Sequence, residues 1–148
     1  MTQQHNVIVT GGNRGIGYAT VAALAMRGAH VILTSRDAKR GEEAAAQVRA
    51  VVPNASVEVM TLDLASLANI RAFADAYLAS GRPLHALINN AGAIGLGKDI
   101  HFTKDGFELE FGINHVGHFL LTKLLMPALK QAAPGRVITV SSIRHIPG

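Results

Sequence analysis

Val7-Ile8-Val9-Thr10-Gly11-Gly12-Asn13-Arg14-Gly15-Ile16-Gly17 is the stretch that decides the fold. An apolar run enters a glycine cluster and a helical pattern follows at once. The run reads as a buried strand. The glycines let the backbone turn tightly and approach a charged group. A helix beginning near Gly15 aims unpaired N–H groups and the positive end of its dipole at the same spot. A pyrophosphate fits there. The spacing is Thr-Gly-x-x-x-Gly-x-Gly rather than the commoner Gly-x-Gly-x-x-Gly. The competing reading is a plain strand-to-helix turn, and the order of the elements that follow argues against it.

Outward from this turn, strand-like and helix-like pieces alternate. Val7–Thr10 is expected as the first strand. Gly15–Arg27 reads as a helix with apolar residues at Ile16, Ala19, Ala23 and Met26, closed by Gly28. Val31–Thr34 is the next strand, and Ala38–Val52 a helix stopped by Pro53. Ser56–Thr61 is a third strand. Ser66 caps a helix to about Ala79, which Gly81-Arg82-Pro83 breaks. Leu84–Ile88 is a fourth strand, followed by a glycine-rich loop from Ala91 to Lys98. One long helix is expected over Ile113–Gln131, and Arg136–Val140 as the fifth strand. Such alternation implies an α/β fold with a parallel sheet covered on both faces.

The chain has 148 residues, 49% hydrophobic, with mean hydropathy +0.25. That length fits one domain with a real core. No apolar stretch reaches the roughly 18 residues a membrane span needs. Met1 to Asn6 lacks the pattern of a signal peptide. With no cysteine there is no disulfide framework and no thiolate chemistry, so a cytoplasmic location is expected. The net charge of +4 is spread along the chain without a Lys/Arg block. Nucleic acid is a poor fit, while an anionic small ligand suits the balance. His115 and His118 stand three apart on the expected helix, close enough to share a face. No acidic cluster completes a metal site around them, so no metal is expected.

Several motifs occur in order: Thr10-Gly11-x-x-x-Gly15-x-Gly17, Asp63 after the third strand, Asn89-Asn90-Ala91-Gly92 after the fourth, Asn114 in Asn-His-Val-Gly-His-Phe-Leu-Leu-Thr, and Val140-Ser141-Ser142 at the end of the fifth. The set resembles the short-chain dehydrogenase/reductase family, and the segment from Asn114 is most similar to its retinol-dehydrogenase-like branch. The resemblance implies a Rossmann-type doubly wound parallel sheet. It implies one dinucleotide-binding domain over residues 1–148, with five strands present and the family's C-terminal strands missing.

The same resemblance implies the roles of individual residues. Thr10, Gly11, Asn13, Arg14, Gly15, Ile16 and Gly17 would form the pyrophosphate turn. Asp63 resembles the family's adenine contact, with Leu64 beside it. Asn89 would steady the central sheet, and Asn90, Ala91 and Gly92 would run close to the adenine ribose. Asn114 resembles the asparagine that disturbs its helix and holds a water for the proton relay. Ser142 resembles the serine that hydrogen-bonds the substrate oxygen; a hydroxyl at the C-terminal end of a strand lies where open α/β sheets bind ligands.

Coenzyme choice is read at Thr34-Ser35-Arg36-Asp37. Relatives that bind NAD place an acid there for the ribose 2′-hydroxyl. Ser35 stands in its place and Arg36 follows, and a guanidinium fork suits a 2′-phosphate. Arg14 adds a second cation. NADP is therefore expected over NAD, with Asp37 as the competing ligand for the ribose hydroxyl.

The family's Tyr-x-x-x-Lys motif does not occur in these residues. The two tyrosines, Tyr18 and Tyr77, are followed four residues on by Ala22 and Gly81. In the family the tyrosine moves the proton as hydride passes between nicotinamide and a carbonyl or alcohol carbon. The function implied is an NADP-dependent oxidoreductase acting on a small carbonyl/alcohol substrate. This chain would carry the coenzyme half and be inactive alone. The alternative is a non-catalytic dinucleotide-binding or redox-sensing module. The long helix would pack across a homo-oligomer, as in the family, or be buried against the sheet. Val137–Val140 would leave an apolar edge prone to pairing.

Overall fold

Val7 and Val9 face one way from the first strand and Ile8 the other, and all three are almost completely buried. Successive side chains of a strand point to opposite faces, so this run must be covered on both sides. The computed structural model describes residues 4–94 and 99–142 and shows that cover. β1 (Asn6–Val9), β2 (His30–Ser35), β3 (Ser56–Thr61), β4 (Ala86–Asn89) and β5 (Arg136–Thr139) form one five-stranded sheet. Its order is β3-β2-β1-β4-β5 and every pairing is parallel. Val7 lies in register with Val31 of β2 and Ala86 of β4.

On one face, Val7, Val9, Val31 and Leu33 pack against Val21 and Ala25 of α1 (Gly15–Met26) and against Ala44, Ala45 and Val48 of α2 (Ala38–Val51). On the other, Ile8, Ile32 and Leu87 pack against Ile70, Phe73 and Tyr77 of α3 (Leu67–Ala79) and against Leu121 and Leu125 of the last helix. Each such aliphatic side chain contributes roughly 1.5–3 kcal/mol when fully buried. The Rossmann-like doubly wound architecture follows. Strand order reverses between β1 and β4, so the loops leaving these strands diverge and open a crevice at their carboxyl ends.

Strand and helix bounds fall within two residues of those read from the sequence, with two corrections that matter. First, the apolar positions Ile16, Ala19, Ala23 and Met26 do not face the core. Ile16 and Met26 are 69% and 71% exposed, and the buried positions of α1 are Gly17, Val21 and Ala25. The helix is apolar around most of its circumference, so periodicity does not select the buried side. Contact with β1 and β2 selects the row of Gly17, Val21 and Ala25. Second, the single long helix over Ile113–Gln131 is two segments with a short helix ahead of them. A short α4 (Leu109–Phe111) leads into a π-helical turn (Gly112–Gly117), and α5 (His118–Gln131) continues from it. The turn is held where Gly117 touches α3's leading loop: a Cβ there would lie 2.6 Å from the Leu64 carbonyl oxygen.

The edge strand β5 is exposed along its whole length, with Val137 and Ile138 nearly half accessible. α5 buries Leu121, Leu125, Ala128 and Leu129 and exposes Phe119. The last four residues of the expected Ala91–Lys98 loop lie outside the described residues.

Candidate functional site

A cleft of about 970 Å³ opens at the crevice. Its floor is the turn after β1. Gly11 and Gly15 have φ of +64° and +55°, in the left-handed region that costs side chains about 1–2 kcal/mol. Gly17 is required by close approach. A Cβ on it would overlap the Gly11 carbonyl oxygen and come within 2.5 Å of Asn90 Nδ2. Gly12 packs away from the cleft, its amide bonded to the Thr34 carbonyl at 3.0 Å. No side chain caps the N-terminus of α1 and no acidic residue occupies its first turn. Its leading N–H groups therefore remain available to an external anion, which is where a diphosphate fits.

Of the residues singled out in the sequence, Gly11, Asn13, Arg14, Gly15, Ile16, Gly17, Ser35, Arg36, Asp37, Leu64, Asn90, Ala91 and Gly92 line this cleft. Thr10 does not. It is fully buried beneath the turn, and its Oγ1 accepts from the amides of Asn90 and Ala91, each at 2.9 Å. Asn90 completes the tie, its Nδ2 donating to the Thr10 carbonyl at 2.8 Å. The turn after β1 and the loop after β4 are thereby bolted together. Asp63 is also absent from the lining. Its Oδ1 accepts from the Ala65 amide at 3.0 Å, and its own amide donates to Asn69 Oδ1 at 2.7 Å. Ser66 caps α3 by accepting from the Asn69 amide.

At the end of β2, Ser35 is buried and its Oγ accepts from the Asp37 amide at 3.2 Å. Asp37 caps α2, accepting from the Arg40 amide at 3.1 Å. That bond gives the carboxylate a local task. Arg40 joins Arg14 and Arg36 in the lining as a third guanidinium. The sequence reading missed it; the signal was a basic residue in the first turn of the helix that follows β2. It also missed Thr34, Leu62, Ala93, Ile94, Leu109 and Ile113, which form apolar and backbone walls.

Asn114 stands in the π turn, as a polar side chain that disturbs its helix would. Its Oδ1 accepts from the Ala93 amide at 2.7 Å and its Nδ2 donates to the Ala93 carbonyl at 2.9 Å. His115 is exposed and stacks on Phe111 at 5.2 Å between centroids. His118 is buried against Thr10. The π turn separates the two rings, so they do not share a face. Among the described residues no group of three or more metal-ligating side chains occurs, and no helix is long and apolar enough to cross a membrane. Ser142 is exposed, three residues past the end of β5. The Val140 amide bonds the Asn89 carbonyl at 3.0 Å, which carries the segment past β5 at the same end of the sheet as the cleft.

The family model for short chain dehydrogenase matches residues 5–146. Retinol dehydrogenase 12 of Mus musculus is 50% identical over 142 residues, covering 96% of this chain and 44% of that protein. Retinol dehydrogenase 11 of Mus musculus is 51% identical over 138 residues, covering 93% and 43%. The chain thus spans less than half the length of these curated relatives. Among solved structures, the Pseudomonas aeruginosa RhlG/NADP active-site complex superposes with a TM-score of 0.84 at 28% identity, over 99% of this chain and 58% of that one. A metagenomic short-chain oxidoreductase in complex with NADP gives 0.81 at 32% identity, over 94% and 62%. With this fold, this turn and a family match across nearly all its length, the chain belongs to the short chain dehydrogenase family, in its retinol-dehydrogenase-like branch.

Proposed function

We propose that this chain is the coenzyme-binding half of an NADP-dependent oxidoreductase that interconverts a small carbonyl compound and its alcohol. One observation carries the reading. A cleft floored by an uncapped helix N-terminus and a glycine turn is lined by Arg14 of that turn and by Arg36 and Arg40, which follow β2. The helix N–H groups suit a diphosphate. The guanidinium forks suit the extra phosphate that distinguishes NADP from NAD. Asp37, the competitor for a ribose hydroxyl, is engaged as the cap of α2.

When bound, the nicotinamide would supply the hydride chemistry. The chain's residues would hold the coenzyme as a whole: Asn90, Ala91 and Gly92 along one wall, Ile16, Leu62 and Leu64 excluding water. Ser142 would hydrogen-bond the substrate oxygen. The two tyrosines of these 148 residues are not in a Tyr-x-x-x-Lys pattern, so this chain alone would bind coenzyme without turning over substrate. Titrating NADPH and NADH against the protein tests the assignment. NADPH is expected to bind more tightly, and Arg36→Ala to erase about tenfold of that preference, one charge-assisted hydrogen bond's worth. Equal affinity for both coenzymes, or no effect of Arg36→Ala, would defeat it.

A further inference from the structure

His118 is only 6% exposed, and its two ring nitrogens touch different parts of the site. Nε2 lies 2.9 Å from Thr10 Oγ1, and Nδ1 lies 3.2 Å from the Asn114 carbonyl oxygen. Hydrogen-bond accounting decides which nitrogen carries the proton. A threonine hydroxyl offers two acceptor positions and one proton. The amides of Asn90 and Ala91, which can only donate, occupy both acceptor positions on Thr10. The hydroxyl proton has two remaining targets, the Ile88 carbonyl at 3.4 Å and His118 Nε2 at 2.9 Å. The shorter contact takes it, so Nε2 accepts. The ring proton then sits on Nδ1, facing the Asn114 carbonyl, which can only accept. The main-chain amide of His118 bonds the His115 carbonyl instead, so it is the ring that reaches Asn114.

We infer that His118, fixed as the neutral Nδ1–H tautomer, is a positioning residue that locks the π turn carrying Asn114 to the threonine holding Asn90 and Ala91. The coenzyme wall and the Asn114 turn are then set as one unit. A charged ring would aim an N–H at a hydroxyl with no acceptor position left, and burial already disfavours that form. The effect on coenzyme binding rests on the function proposed above; the tautomer does not.

Two kinds of measurement test the lock. Long-range proton–nitrogen NMR of the 15N-labelled chain near neutral pH reads which ring nitrogen is protonated. The free side chain favours Nε2–H, so Nδ1–H at His118 is the expected and diagnostic result. An Nε2–H or charged ring would overturn the inference. Thr10→Val is expected to shift the amide resonance of Asn114 by removing the ring's partner, and an unmoved resonance would count equally against it.

NADPH titration supplies the second arm. His118→Phe fills the space and offers neither bond; His118→Gln places an acceptor near the Nε2 position. The phenylalanine variant is expected to weaken NADPH about tenfold, and the glutamine variant, which keeps the Thr10 bond but loses the Asn114 bond, by a smaller factor. Equal losses in both, or none in either, would overturn the coupling. A parent chain that binds neither coenzyme would instead sink the proposed function, leaving the NMR result to decide the ring's role.

Discussion

Asn114 and Ala93 grip each other through two reciprocal hydrogen bonds, side-chain oxygen to amide at 2.7 Å and side-chain nitrogen to carbonyl at 2.9 Å. A carboxamide suits this pairing because it offers a donor and an acceptor side by side. The bond pair holds the loop after β4 against the π turn. Asn114→Ala would remove both, and Asn114→Asp would leave an oxygen facing the Ala93 carbonyl. Both variants are expected to weaken NADPH by about tenfold or more, with the aspartate no better than the alanine. Fluorescence titration of the three proteins checks this. An aspartate variant that binds like the parent would show that the grip on Ala93 is immaterial.

Gly17 is a second sharp case. Alanine ordinarily improves a helix by about 1 kcal/mol over glycine. Here the added Cβ would meet the Gly11 carbonyl and Asn90, and backbone oxygen has no rotamer by which to retreat. Overpacking of this kind costs about 1–3 kcal/mol, so Gly17→Ala should destabilise the fold and displace the turn. Urea unfolding gives the sign. A gain in stability would mean that the contact relaxes at no cost.

The start of α2 separates a structural charge from a recognition charge. Asp37→Ala should cost about 1 kcal/mol through the lost cap. The exposed 3.7 Å pair it makes with the Arg40 guanidinium adds little. Arg40→Ala should leave stability within about 0.5 kcal/mol and lower affinity for NADPH, with NADH unaffected. Thermal melts and paired titrations check both. A loss for both coenzymes would place Arg40 at the shared diphosphate instead.

Stability should carry the imprint of His118. Burial holds its ring below the usual histidine range, opposed only partly by the Asn114 carbonyl. The unfolded chain therefore takes up this proton more readily than the folded one. The contribution is fully present above the ordinary value of about 6.5 and declines as pH falls from there toward the lowered folded value. Urea midpoints measured from about pH 7 down to about pH 5 should fall more steeply for the parent than for His118→Gln. Parallel curves would show that the ring is not held neutral.

Much of this was legible along the chain. Buried strands announced themselves as Val/Ile runs bounded by glycine, and Ser66 was readable as the cap of α3 because a hydroxyl three residues before a free amide is a local feature. Gly11, Gly15 and Gly17 were readable because spacing alone tells where a turn must pass close to something. The buried side of α1 was not readable. Its apolar residues surround the helix, and only contact with β1 and β2 chose the row of Gly17, Val21 and Ala25. Arg40 was hidden for a similar reason. Its place in the lining depends on where the start of α2 lies against the turn after β1, which a list of charges does not reveal.

Sequence by itself determined the parallel α/β order and the place of the glycine turn. Those are properties of neighbours a few bonds apart. Tertiary structure alone decided that Thr10 faces inward to carry Asn90, Ala91 and His118 and that Asp63 turns to its own loop. A hydrogen bond across 80 or 108 residues has no periodicity to announce it; it exists only once the sheet has brought both partners to the same crevice.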